Sequence, residues 1–218
     1  MLASSDTEQS NGAMVRRPLT AGEETKAKII AAALHCLATE GVVGTSARAI
    51  ARAGDFNQAL IFYHFGSVTE LLVAAGLSES ERRAARYADR LADVTDLPQL
   101  VRVARELHEE ELAEGSVAVL TQMLAAAAHS DELRRALLQG FEPWMQLVEG
   151  AVQRVLADTP YASVVPTADL SFAIASLFLG IELMSGLDPE RAAEQRLFAT
   201  IESLANVVGM LLQLPTPK

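Results

Sequence analysis

One cysteine in 218 residues, Cys36, excludes an internal disulfide and fits a reducing, cytoplasmic setting. It stands in the apolar run Ile29 to Leu37 and reads as a small buried hydrophobe, not a redox sensor. Chemistry-bearing clusters are also scarce. The four histidines are scattered, His108-Glu109 lacks the second histidine of a zinc-protease helix, and no paired carboxylates or nucleophile–base pair stand out. Neither an enzyme nor a cofactor or metal site is expected. Aromatic residues make up only 5%, while Ala and Leu abound, which favours helices over sheets. Long apolar runs are missing too. Met1 to Gly22 has no signal-peptide core, and Val117 to Ala128 and Phe172 to Ile181 are short and interrupted, so no membrane partner is expected.

Positive charge is the remaining deficit. The formal net charge is −10, yet it is unevenly spread. Residues 16 to 80 hold six Lys/Arg and six Asp/Glu, whereas residues 81 to 218 hold twelve against twenty. The acidity therefore belongs to the C-terminal part. A neutral N-terminal part that bound nucleic acid would lack a broad basic footprint and would rely on a few placed contacts and on dimerisation.

What is present concentrates between Thr25 and Leu72. Ser46 precedes Ala47-Arg48-Ala49-Ile50-Ala51-Arg52-Ala53 and reads as an N-cap. Gly54-Asp55-Phe56 turns the chain, Asn57 caps again, and Gln58 to Phe65 forms a second short helix with Ile61 and Phe65 as i,i+4 partners. Its other face carries Gln58, Ala59, Phe62 and Tyr63, a mixture that suits base edges and phosphates if this helix enters a major groove.

Together Gly44-Thr45-Ser46-Ala47-Arg48-Ala49-Ile50-Ala51, the turn to Asn57, and Phe62-Tyr63-His64-Phe65-Gly66-Ser67 resemble the N-terminal helix-turn-helix domain of the TetR family of bacterial transcriptional regulators. The likeness covers roughly Thr25 to Gly76, with spacings from Ile50 to Asn57 to Phe65 free of gaps. Asp55 stands where the family usually has the turn glycine, and Val68 where many members have a phosphate-contacting lysine. Asp tolerates left-handed backbone better than most residues. The resemblance implies an all-α chain. A flexible arm (1–22) precedes a three-helix DNA-binding domain (23–76), which joins a larger helical domain for ligand binding and dimerisation (77–218). It implies base or groove contacts from Arg48, Gln58, Ala59, Leu60 and Phe62, and phosphate contacts from Thr45, Ser46, Tyr63 and His64. Arg16 and Arg17 either enter the adjacent minor groove or belong to a solvated arm.

Beyond this module the pattern stays helical. Thr69 to Ala75 reads as a link helix, leading into Arg82, Arg83, Arg86 and Arg90 on one helix face. These arginines read as solvated groups paired with Glu79, Glu81 or Asp89, and Glu109-Glu110-Glu111 as a solvated acidic face. Ser130 caps a helix carrying Phe141, Trp144, Met145 and Val148, which Pro143 is expected to kink or restart. These large residues either line a cavity or fill the core. The resemblance implies the cavity, holding a small-molecule effector, and Gln122, His129, Gln146 and Glu182 are the polar groups that would converge on it.

Near the end, Asp169 to Gly186 mixes small residues (Ala173, Ala175, Ser176, Gly180, Ser185) with large ones, and Asp188-Pro189 signals a new helix start. Leu197, Ile201, Leu204, Val208 and Leu211 then form an apolar stripe. The last two helices therefore need a neighbour, and the resemblance implies a homodimer through them. The function expected is a sequence-specific regulator bound to a double-stranded DNA operator; the resemblance implies a palindromic operator and a repressor released by a ligand, the alternative being an activator or a helical interaction protein not controlled by a ligand.

Overall fold

The computed structural model describes residues 20–187 and 190–212. Arg16, Arg17 and the Asp188-Pro189 start signal lie outside them. Among the described residues the chain is all helical: α1 (Ala21–Gly44), α2 (Ala47–Gly54), α3 (Ala59–Phe65), α4 (Val68–Ala92), α5 (Leu97–Glu114), α6 (Ser116–Ala127), α7 (Asp131–Leu156), α8 (Thr167–Ser185) and α9 (Ala192–Leu212).

Local chemistry fixes the helix starts. Thr20 and Glu23 form a reciprocal capping box, so α1 begins two residues ahead of the expected module boundary. Ser46, Ser67, Asp96 and Ser130 each accept a backbone amide of the first turn of α2, α4, α5 and α7. The expected short link helix is instead the first part of α4, which runs unbroken past residue 76 and carries all four arginines. Pro143 does not divide α7, which continues through it from Asp131 to Leu156.

Two apolar cores form. The first joins Ile29, Ala33, Cys36 and Leu37 of α1 to Ile50 of α2, Ile61 of α3 and Leu71 of α4. It also takes in Met123 and Ala127 of α6 and Leu133 of α7. The second joins Tyr87, Leu91, Leu107, Val148, Ala151 and Phe178, with Trp144 packed against it. By length and composition alone, α1 (24 residues, mean hydropathy 1.4) and α8 (19 residues, mean hydropathy 1.5) are apolar enough to cross a membrane. This corrects the expectation that no stretch approaches that length. Unbroken apolar runs are short, but Ile, Leu, Val and Phe, with alanine between them, carry the average across interspersed polar groups.

Candidate DNA-reading face and effector cavity

The short helices α2 and α3 are held from below. In α2, Ala49, Ile50 and Ala51 are buried while Arg48 and Arg52 face outward. The Ser46 hydroxyl accepts the Ala49 amide at 3.2 Å and fixes the start. Asp55 ends α2 in the left-handed region (φ 50°), donating its amide back to Ala51 and Arg52. Gly54 meets a different need: a Cβ there would lie 2.2 Å from the Phe56 ring and 2.9 Å from Ala32 Cβ. The turn thus separates two requirements. Asp55 supplies the positive φ, and Gly54 supplies the close approach.

Asn57 Oδ1 accepts the Ala59 amide at 2.9 Å, so the expected cap is present although regular helix begins at Ala59. Ile61 is fully buried and Phe65 packs partly against the same core. Gln58, Ala59, Phe62 and Tyr63 all face solvent, with Tyr63 81% exposed. An aromatic ring so exposed gains nothing from the core of its own chain. His64 is half-buried, its ring edge-on to Tyr63 at 4.9 Å. Ser46 and Arg48 share the exposed side.

Two further expected contact residues, and one position where the family has a contact, sit less openly. Leu60 is half-buried against the first core, leaving only part of its side chain for a groove. Thr45 is buried, and its hydroxyl donates to Gly41 O at 2.7 Å. Val68, which replaces a lysine of the family pattern, packs against the first core.

Gly41 marks a feature that sequence reasoning passed over. With φ 69° and ψ 176° it breaks the last turns of α1. Its neighbour Val42 donates its amide to Gln122 Oε1 of α6 at 2.9 Å. Gln122, expected at a ligand cavity, is therefore committed to the end of α1 instead. The signal for such a break was the pair of glycines in Gly41-Val42-Val43-Gly44; nothing in the sequence pointed to its partner.

A cavity of about 410 Å³ lies among α4, α7 and α8. Trp144, Phe141 and Met145 line it as expected, and so does Glu182. Gln146 borders a shallower pocket beside it with Pro143 and Leu77, and His129 lines neither. Tyr87, Trp144 and Phe178 form an aromatic wall, with ring centroids 5.4 and 5.5 Å apart. Such a wall suits apolar or aromatic ligands.

Beneath that wall the arginines and the acidic run meet. The expectation of solvated charges holds only in part, because Arg82 does pair with Glu79 at 2.6 Å. Arg83 Nε lies 3.0 Å from Glu111 Oε2, and Arg83 Nη2 donates to Glu182 Oε1 at 3.1 Å. Arg86 approaches Glu114 at 2.6 Å and Glu111 at 3.5 Å, and Arg90 pairs with Glu110 at 2.6 Å. Glu111 is fully buried, which corrects the picture of a solvated acidic face. The signal was matched spacing: Arg82, Arg83 and Arg86 repeat the intervals of Glu110, Glu111 and Glu114. Burial pushes the Glu182 carboxyl up to about 7, with the charge of Glu111 adding to the push and Arg83 opposing it. Glu111 is raised by burial as well, against the pull of Arg83 and Arg86.

A second buried polar group pins the C-terminal helices. His108 of α5 is fully enclosed, with Nε2 3.0 Å from Glu194 Oε1 of α9 and its ring against Phe178 and Phe198. The Ser185 hydroxyl of α8 also donates to Glu194, and Arg191 pairs with it. Burial lowers the pKa of His108, with Glu194 opposing. Within the chain, α9 buries Phe198 and Ala205, not the stripe expected to be covered. Leu197, Leu204, Val208 and Leu211 are exposed, and so are Phe172, Leu177 and Met184 of α8. A Cβ added at Gly180 would meet open space.

Comparison with known proteins places this arrangement. Residues 29–75 match the model for bacterial regulatory proteins of the tetR family. No curated protein matches the sequence. Among solved structures, GusR of Salmonella enterica is 18% identical over 88% of this chain and 98% of its own, with a TM-score of 0.66. The regulator FadR of Bacillus subtilis, solved with stearoyl-CoA, is 13% identical over 82% and 96%, with a TM-score of 0.69. The multidrug binding protein EbrR, solved with imidazole, is 22% identical over 88% and 96%, with a TM-score of 0.59. At such identities the likeness is one of fold, and it extends over nearly the whole length of each chain. The helix-turn-helix lies inside the segment that matches the tetR-family model, and the chain as a whole shares its fold with these regulators.

Proposed function

We propose that the chain is a homodimeric repressor. It binds a two-fold symmetric operator in double-stranded DNA and leaves it when a small molecule fills the cavity beside Trp144. Residues 23–76 read DNA, and residues 77–218 hold the ligand and the partner. The observation that carries this reading is the outer face of α3, where Gln58, Ala59, Phe62 and Tyr63 project to solvent while Ile61 anchors the helix. Gln58 is suited to adenine, Phe62 and the free part of Leu60 to thymine methyls, and Arg48 to a guanine edge. Ser46, Tyr63 and His64 are suited to phosphates, which set register without reading sequence. Thr45 contributes by holding the turn at Gly41.

Dimerisation through α8 and α9 is supported by their exposed apolar side chains, among them Phe172, Leu177 and Met184 on α8 and Leu204, Val208 and Leu211 on α9. A closed two-fold contact would cover both and would present two reading helices symmetrically. The test is selection of bound sites from randomised duplexes. A palindrome with half-sites about one helical turn apart or more is expected. Gln58→Ala should then reduce discrimination at one position per half-site by roughly 1–3 kcal/mol. Selection that enriches no sequence, or a Gln58→Ala protein that ranks operator variants as the parent does, would sink the assignment.

A further inference from the structure

The cavity carries one sign of charge in excess. Its charged lining groups are Arg83, Glu142 and Glu182. Glu142 is exposed on the rim, whereas Glu182 is buried at the base of the aromatic wall. Arg83, the one cation among these lining groups, is already divided between Glu182 at 3.1 Å and Glu111 at 3.0 Å. Arg86, the next cation on α4, is held by Glu114 at 2.6 Å and Glu111 at 3.5 Å. Arg82 joins Glu79 at 2.6 Å to Glu114 at 3.3 Å, so Arg82, Arg83 and Arg86 together face four carboxylates, Glu79, Glu111, Glu114 and Glu182, and the one that opens on the cavity is Glu182. A buried carboxylate short of positive charge is costly to ionise.

We propose that the cavity takes a hydrophobic cation, with an apolar or aromatic body and one positively charged nitrogen seated against Glu182 and the faces of Trp144 and Phe178. The proposal rests on the reading of this cavity as the effector site. The cation supplies the missing charge, and the surrounding rings attract it further through their negative faces. An organic anion meets the opposite situation. To reach Arg83 it must displace Glu182, leaving that carboxylate beside Glu111 with its partner gone. A neutral molecule fills the space and leaves the charge unmatched.

Ionisation of Glu182 accompanies binding. The charges that act on it are Arg83 from α4 and Glu111 from α5, the latter also approached by Arg86, while Tyr87 from α4, Glu142 from α7 and the apolar Leu120 from α6 line the same cavity. Since burial holds the Glu182 carboxyl up to about 7, cation binding releases a proton below that pH and none well above it.

The experiment uses the full chain and three probes with one tail: decyltrimethylammonium, 1-decanol and decanoate, each below its micelle concentration. Emission of Trp144, the sole tryptophan, reports binding. The cation should bind about tenfold more tightly than the alcohol, as a desolvated cation–π contact and a matched carboxylate together warrant, and decanoate more weakly than either. Glu182→Gln should remove most of the cation's advantage over the alcohol, leaving only the share contributed by the rings. In the parent protein the cation's affinity should rise about tenfold or more between pH 5.5 and 7.5, while the alcohol's stays level. Decanoate binding as tightly as the cation overturns the proposal, as does a Glu182→Gln protein that keeps the cation preference in full. Should that variant not fold, the pH profile decides, and a flat one is fatal. If the alcohol binds and the cation gains nothing over it, the cation proposal fails while the effector-cavity reading stands. If none of the three binds, both fail.

Discussion

The two cores are built on opposite terms. The first is dry: Ile29, Ile50, Ile61 and Leu71 meet with no charged side chain among its buried residues. The second is bordered by buried Glu111, Glu182 and His108 and by an open cavity. A close-packed apolar core allows one arrangement, which is what a helix that must present Gln58 and Tyr63 in fixed register requires. Buried charge and empty volume lower stability locally and make a region responsive to what binds there. Under the proposed function, the difference separates the part that must not move from the part that must respond.

Truncation should expose that difference most sharply. Ile61→Ala removes a fully buried side chain from the dry core and should cost about 2–5 kcal/mol of unfolding free energy by denaturant titration. Phe172→Ala, at the cavity and 66% exposed, should cost well under half as much. Equal losses would mean that the cavity wall is as tightly packed as the core under α3. Leu204→Glu probes the outer face of α9, where Leu204 is 58% exposed in the single chain. The expected product is a folded monomer by sedimentation, because a charge enclosed in an apolar dimer contact costs several kcal/mol. A Leu204→Glu protein that stays dimeric would place the contact elsewhere.

Charge should separate the two regions by pH. Glu182 is held near 7 when folded and returns to the ordinary carboxylate range when unfolded, so the folded chain binds the extra proton between those values. The stability that this proton confers is complete below the unfolded pKa and is lost as pH rises to about 7. Relative to Glu182→Gln, the parent should therefore lose up to roughly 3 kcal/mol between pH 4.5 and 7 and little beyond. Parallel pH profiles for the two proteins would show that Glu182 is already ionised in the fold. The smallest effect concerns the reading head alone. Ser46→Ala removes the cap of α2 and should cost about 1 kcal/mol, with the Tm lowered at every pH alike.

What the sequence revealed depended on distance along the chain. Ser46, Asn57, Ile61 and the outward set on α3 were legible because a cap or a helix face is decided within four residues. The stretch of α4 was misjudged for the same reason. Arg83 has acidic neighbours on its own helix, and local pairing rules select them, whereas its partners Glu111 and Glu182 come from α5 and α8. Gln122 was assigned to the cavity as a polar residue in an apolar stretch, but its bond to Val42 spans 80 residues and depends on a break that no periodicity announces. Trp144 could not be assigned to cavity or core, since apolar surface looks alike in both. It turned out to do both, packing on the second core and lining the open volume.

The first core also includes Met123, Ala127 and Leu133, which lie far beyond the end of the helix-turn-helix match, and Gln122 supplies the acceptor for the broken end of α1. The reading head is therefore not a transplantable module. A gene fusion that exchanged effector domains at residue 76 would cut through the middle of α4 and strip three apolar side chains from beneath α1. A viable chimera would have to carry the matching face of α6 and the first turn of α7 with it. Substitutions along the seam between α1 and α6 should accordingly cost the first core more than substitutions in the cavity lining do.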